Sequence, residues 1–332
     1  MNCPSCGSTG SSLLLGGEAA EFRLRKCAGC GLVSTLPMPD DGRLLRFYQG
    51  FRFEPPDPAS LAVEIEAVRE SLTGLCGDAK GRRFLDFGGG CGIYAAAASK
   101  LGFEVTLFDV DESGLAYAGT ELGIENRVNR FEDLSGGFDV VLSFHVIEHS
   151  NDLARDFKRL AELLAPGGRL IIATPNCESF EKYFMPPLFR NYVRRLRHAG
   201  VSRTASLLNV LKPDSILCWD PPRHLYALSR HSLQALAEKH GLRGETFCPY
   251  NTDIRFEPRQ YVLPRVKTLA GWRAETGPAG GGWAGNLRWL ARHLAVVATR
   301  GALNAMARIF PNRGGQLYGV FNKPASQERS IA

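Results

Sequence analysis

Four cysteines near the start of the chain have a spacing that sulfur chemistry explains. Cys3 and Cys6 in CPSC, and Cys27 and Cys30 in CAGC, form two C-x-x-C pairs with twenty residues between them. Each pair lets two thiolates from one tight turn reach the same ion. Glycine follows each pair, at Gly7 and Gly31, where the backbone must fold around sulfur. Four thiolates fill a tetrahedral zinc and leave no position for substrate, so the expected ion is structural. A disulfide framework suits these nine cysteines poorly, because the start MNCPSCGSTG lacks the basic-then-apolar profile of an export signal. A cytoplasmic location is the corresponding expectation. Cys76, Cys91, Cys177, Cys218 and Cys248 read as small apolar residues.

The stretch FLDFGGGCG, Phe84–Gly92, places glycines after an apolar run. A dinucleotide fingerprint starting at Gly88 needs a third glycine at position 93, which is Ile93. What stands here is D-x-G-x-G-x-G, with Asp86 ahead of Gly88, Gly90 and Gly92. A carboxylate there repels phosphate and suits a ligand with a positive amino group. S-adenosylmethionine carries an ammonium and a sulfonium and no phosphate, and bare glycines let its aminoacyl arm lie against backbone. Asp109, 21 residues beyond Gly88, closes the next strand, where a carboxylate can accept from both ribose hydroxyls.

Elements must bring these groups together. Leu61, Ile65, Val68, Leu72 and Leu75 mark one helix face. From RFLDFG onward strands and helices alternate, through EVTLFDVD, a weak strand VNRFEDL, FDVVLSFHV and RLIIATPN, which predicts a parallel sheet covered on both faces. Ser229 reads as an N-cap for RHSLQALAEKHG, and GETFCPYN and QLYGVFNK as late strands. The stretch 252–315 between them is too long for a hairpin loop and predicts an inserted helical lobe. The expected division is 1–36 zinc ribbon, 37–80 linker and lid helix, 81–251 core, 252–315 helical insertion, 316–324 last core strand and 325–332 tail.

Residues 80–176 resemble a class I S-adenosylmethionine-dependent methyltransferase in motif order as well as content. FLDFGGGCG matches the cofactor loop, FDVDESGLAYA the ribose strand, FDVVLSFHVIEH the fourth strand, and LAPGGRLIIATPN the turn and fifth strand. The resemblance implies an α/β fold, a Rossmann-like seven-stranded class I methyltransferase sheet whose last strand runs antiparallel. It departs after the third strand, where relatives carry an acid near the adenine and this chain has Arg130 followed by Phe131, taken as an adenine contact.

HVIEH supplies His145, Glu148 and His149 immediately after the fourth strand, at the end of the sheet where ligands bind. Three readings stay open. Ubiquinone-pathway and small-RNA 2′-O-methyltransferases have a similar E-x-x-E-H segment that holds a divalent metal, and here His145 replaces the first acid. Alternatively His149 is a base or substrate contact, or Glu148 and His149 brace the cofactor pocket alongside His145. DPPRHLYALS resembles an acceptor-side segment of bacterial small-molecule methyltransferases, including sugar C-methyltransferases that also begin with a four-cysteine ribbon. That resemblance makes His224 and Tyr226 acceptor-side residues, and Tyr48 a lid.

Charge is divided unevenly, with a net −7 over residues 1–176 and +13 over 177–332. An anionic partner for the second half follows, as a phosphorylated or lipid-linked acceptor with peripheral membrane contact, or as RNA. Only three basic residues fall within 1–30, against two acidic ones, so a small-molecule acceptor, a sugar or glycan-type one, is favoured over nucleic acid. No uncharged apolar run is long enough to cross a bilayer.

Overall fold

In a computed structural model, residues 2–15, 22–48, 53–77, 79–179, 223–248, 305, 308–310 and 312–325 are described. The apolar runs from residue 83 onward form β4 (Arg83–Phe87), β5 (Glu104–Phe108), β6 (Arg127–Val128), β7 (Phe138–Phe144) and β8 (Leu164–Pro175), joined late in the chain by β10 (Arg243–Phe247) and β11 (Gln316–Asn322). Their order is β10-β11-β8-β7-β4-β5-β6. β11 is antiparallel to both neighbours, whereas β4 to β8 run parallel, as expected for this class. The chain proceeds outward from β4 through β5 to β6, then returns to the other side of β4 for β7 and β8. The crevice between the carboxyl ends of β4 and β7 is therefore the topological switch point.

Successive side chains on a strand point to opposite faces, which divides the core in two. Phe84, Val140, Leu142 and Ile171 pack with α2 (Pro58–Cys76), α3 (Ile93–Leu101) and α4 (Glu112–Leu122). Leu85, Val141, Leu170 and Ile172 pack with α5 (Leu153–Leu163) and a helix, α6, over Arg230–Lys239. Ser229 caps α6 in a reciprocal box with Ser232. Asp57 caps α2, accepting from the Ser60 N–H at 2.9 Å.

Two expectations change. The helix assigned to the linker as a lid buries Leu61, Ile65, Val68 and Leu72 in the same cluster as Ala95–Ala98 of α3, so α2 is a core layer. The weak strand VNRFEDL shrinks to the two residues of β6 and a single 3-10 turn, Phe131–Asp133, because its polar residues supply no alternating apolar face at the sheet edge. Tyr48 ends α1 (Asp41–Tyr48), and its side chain lies outside the described residues. So do the basic stretch FRNYVRRLRHAG and nearly all of 252–315. No helix among the described residues is long and apolar enough to cross a membrane.

The N-terminal segment folds as β1 (Ser11–Leu15), β2 (Arg23–Cys27) and β3 (Val33–Leu36), antiparallel throughout. A fourth strand, β9 (Tyr226–Ala227), completes this sheet from far along the sequence. Cys3, Cys27, Cys30 and Leu32 share one apolar cluster with Leu153, Phe157 and Leu225, so ribbon and core are fused. Phe157 is fully buried there, with its ring tilted against His240 at 5.7 Å between centroids. Phe157→Ala should cost about 3–5 kcal/mol of stability, read by urea denaturation, and a loss under 1 kcal/mol would show that the shared cluster does not bear on folding.

Candidate functional site

The four cysteine sulfurs lie within 4.8 Å of one another. Cys3 Sγ is 3.5 Å from Cys30 Sγ, and Cys6 Sγ is 3.6 Å from Cys27 Sγ. A disulfide would need about 2.05 Å. Tetrahedral bonds of about 2.3 Å to one zinc ion space their ligands by about 3.8 Å, which these separations approach. The thiols are tuned against one another. Burial pushes Cys3 and Cys30 up, whereas for Cys27 the backbone N–H groups of Cys30 and Gly29 and the neighbouring thiols outweigh burial and bring it down to about 7. A closed set of four sulfurs, three of them buried, fits a structural zinc.

The glycine loop turns where β4 meets α3. Gly88 has φ +73°, and a Cβ there would stand 2.4 Å from Val146 of the β7 loop. Gly90 also has positive φ, but a Cβ on it would meet nothing within 4 Å. The loop is therefore tight on the β7 side and open above Gly90, as a cradle for a ligand arm must be. Gly92 begins α3 in the left-handed conformation. Asp109 holds the loop from the next strand, with Oδ2 accepting from the Gly90 N–H at 2.7 Å and Oδ1 from the Asp111 N–H at 2.9 Å. It stays half-buried just past the end of β5. Phe131 packs against Phe87 and Phe108, at 5.2 and 5.7 Å between ring centroids, and forms an aromatic floor beside the loop.

Asp86 sits lower than the sequence suggests. It is 1 % exposed beneath the turn and accepts from the Ala95 N–H at 2.9 Å. Burial pushes its pKa up to about 7, the Ala95 N–H opposes this, and the Asp109 charge adds to the rise. No counter-cation is among the groups that set this value.

On the other side of the crevice, β7 ends at Phe144 and is followed by His145, whose φ of +58° is unusual for a side chain larger than glycine. The turn Ile147–His149 follows. Glu148 is 1 % exposed, with Oε1 3.0 Å from His145 Nδ1 and Oε2 accepting from the Thr174 hydroxyl at 3.0 Å. Burial alone would raise its pKa, but the hydrogen bond from His145 and the fields of His145, His149 and His224 prevail and hold it at about 2. His145 Nε2 meets Gln316 Nε2 at 2.6 Å, so its ring is engaged at both nitrogens. His149 Nδ1 lies 2.9 Å from the Arg223 carbonyl, and its ring stands edge-on to His224 at 4.8 Å.

The structure thus brings His145, Glu148, His149 and His224 together. Tyr226 is elsewhere: its phenol takes the Leu153 N–H at the start of α5, and burial pushes its pKa up to about 12. The His224–Tyr226 pair expected from the sugar-enzyme resemblance is split: Tyr226 lies in β9 of the ribbon sheet and takes the Leu153 N–H, whereas the His224 ring stands against His149. Thr174, Gln316 and Arg223 are partners that the sequence reading missed. Thr174 lies at the carboxyl end of β8, beside β7, and that position was the available signal. Arg223 acts through a main-chain carbonyl, which no side-chain pattern reveals.

Glu148, His149 and His224 each offer one ligand atom within 4.8 Å of the others, a group that could hold a metal ion. Both carboxylate oxygens already serve His145 and Thr174, and the other two donors are nitrogens. Such a set departs from the oxygen-rich coordination that magnesium needs.

Sheet order, glycine cradle and strand-end carboxylate together define a class I S-adenosylmethionine-dependent methyltransferase. The chain belongs to the methyltransferase-domain family, whose model matches residues 62–246. The ubiquinone biosynthesis O-methyltransferase of Caulobacter sp. (strain K31) is 36% identical over 146 residues, which is 41% of this chain and 56% of that protein. The enzyme of that name from Bordetella avium (strain 197N) is 30% identical over 206 residues, 58% of this chain and 79% of that protein. A solved S-adenosylmethionine-dependent methyltransferase from Archaeoglobus fulgidus aligns over 84% of this chain and 99% of its own, at 16% identity and a TM-score of 0.44.

A cation placed above the loop favours the ionised form of Asp86, so cofactor binding near pH 7 should release a fraction of a proton. Calorimetry in two buffers of different ionisation heat measures it. Affinity should rise from pH 6 to 8 and then level, as Asp86 ionises around 7 without ligand. For the unliganded chain the sign is opposite: a carboxyl raised from 3.8 lends stability at low pH that is lost as pH climbs through about 7. Unchanged proton release in Asp86→Asn would show that another group carries it.

Proposed function

We propose that the chain transfers a methyl group from S-adenosylmethionine to a hydroxyl of a small-molecule acceptor, with His149 as the base. The hydrogen bond between His149 Nδ1 and the Arg223 carbonyl carries this reading. A carbonyl only accepts, so Nδ1 keeps the proton and Nε2 presents the lone pair. Burial lowers the His149 pKa from its ordinary 6.5, overcoming the opposing pull of Glu148, so the ring is neutral at pH 7.

When bound, S-adenosylmethionine supplies a methyl carbon activated by its sulfonium. The residues of this chain then have two tasks. The first is alignment, which can supply roughly 7–11 kcal/mol. The glycine loop and Asp109 fix one partner, and the Ile147–His149 turn and His224 flank the other. The second is proton removal from the acceptor hydroxyl, so that its oxygen attacks as it becomes anionic and the proton ends on His149 Nε2. Neither task needs a metal at Glu148, whose role is to hold His145 and the turn.

The two relatives named as ubiquinone biosynthesis O-methyltransferases support a hydroxyl acceptor, and a related ring hydroxyl is the preferred substrate. A sugar or glycan acceptor has less support with Tyr226 turned toward Leu153. His149→Ala should lower turnover by about a hundredfold or more and leave cofactor affinity within about twofold. In the wild-type chain kcat/KM should rise with pH through a pKa below 6.5 and stay level above it. Wild-type turnover in the variant, or labelled methyl entering RNA and not the small-molecule fraction of a cell extract, would overturn the reading.

A further inference from the structure

The ribbon sheet does not close within the ribbon. β3 pairs with β9, Val33 opposite Ala227 and Ser34 opposite Tyr226, so its outer edge is the strand just after His224. Three further bonds fasten the same region. The Thr35 N–H donates to the Leu225 carbonyl at 2.9 Å. The Ser229 hydroxyl donates to the Cys30 carbonyl at 3.5 Å, and the Lys239 ammonium to the Pro4 carbonyl at 2.8 Å. Cys30 and Pro4 lie in the two cysteine turns themselves.

On its other side the same segment meets the acceptor site. The Leu225 N–H donates to the Glu148 carbonyl at 2.8 Å, and the Arg223 carbonyl orients His149. Leu225, 1 % exposed, thus bonds the ribbon through its C=O and the Ile147–His149 turn through its N–H. Were β3 to withdraw, this buried carbonyl would lose its donor, and the segment would have to move toward water. Both histidines would move with it.

We propose that the four-cysteine ribbon is a positioning element of the acceptor site: with its ion bound, β3 holds the segment that sets His224 against His149, and Thr35 is the positioning residue. The ion is what keeps two short turns and three short strands folded. The proposal rests on His149 acting as the base, but its test does not depend on activity alone.

The full chain, labelled with ¹⁵N-histidine, reports both imidazoles by NMR. Chelation of zinc should shift or broaden the His149 and His224 resonances and lower turnover by about a hundredfold, with restoration on zinc addition. Cofactor affinity should stay within about twofold, because the glycine loop is bonded to β5 and α3. Thr35→Pro tests the strap with the ion in place, since the Thr35 N–H points to Leu225 and not to β2. Loaded with cobalt(II), this variant should keep its thiolate absorption bands while the histidine resonances and turnover change. Thr35→Ser, which retains both the N–H and a hydroxyl at this buried position, should keep the histidine resonances of the wild type. Unchanged resonances after chelation, or in cobalt-loaded Thr35→Pro, overturn the proposal. If the wild-type chain methylates no hydroxyl acceptor, the proposed reaction falls, and the imidazole and cobalt signals still decide the coupling.

Discussion

The reversal of strand order between β4 and β7 is the constraint from which the rest follows. Two parallel neighbours send their following segments in opposite directions, which leaves a crevice at their carboxyl ends that no crossover helix fills. Into it the chain places the glycine turn from one strand and the Ile147–His149 turn from the other. Val146 touches the place where a Gly88 side chain would stand, so the two turns are in mutual contact. A ligand above Gly90 and an acceptor beside His149 are therefore neighbours by topology.

Two buried carboxylates show how the crevice divides its labour. Asp86 and Glu148 are equally hidden from water. Burial drives both toward the neutral form. Glu148 escapes because three histidines surround it, and it ends at about 2. Asp86 has only one backbone N–H and a second acid nearby, and it ends at about 7. The first has its oxygens matched by hydrogen bonds to His145 and Thr174. The second has no cation among the groups that set its value, and it lies beneath the glycine loop.

Much of the architecture was legible because it obeys simple periods. Phe84, Val140 and Ile171 on one face, and Leu85, Val141 and Ile172 on the other, follow from alternation along strands. The cysteine pairs and the cap at Ser229 were legible for similar local reasons, whereas the antiparallel direction of β11 came only from the methyltransferase resemblance. The role of α2 was not, since an amphipathic helix looks the same whether its apolar face meets a ligand or α3. Nor was the separation of Tyr226 from His224: two residues apart in the sequence, they belong to different neighbourhoods because β9 joins the ribbon sheet. That pairing joins residues 33–34 to 226–227, and nothing local in LYALS announces it.

This long-range pairing also bears on what the ribbon is for. A nucleic-acid reader on a flexible arm would present an unpaired strand edge or a basic face. Here one edge of the sheet is taken up by β9, and three of the four cysteines are buried with the core. The net positive charge of the chain lies instead beyond residue 176 in the sequence. The physical reading that joins these facts is a ribbon turned inward, its outer strand β9 continuous with the segment that carries His224.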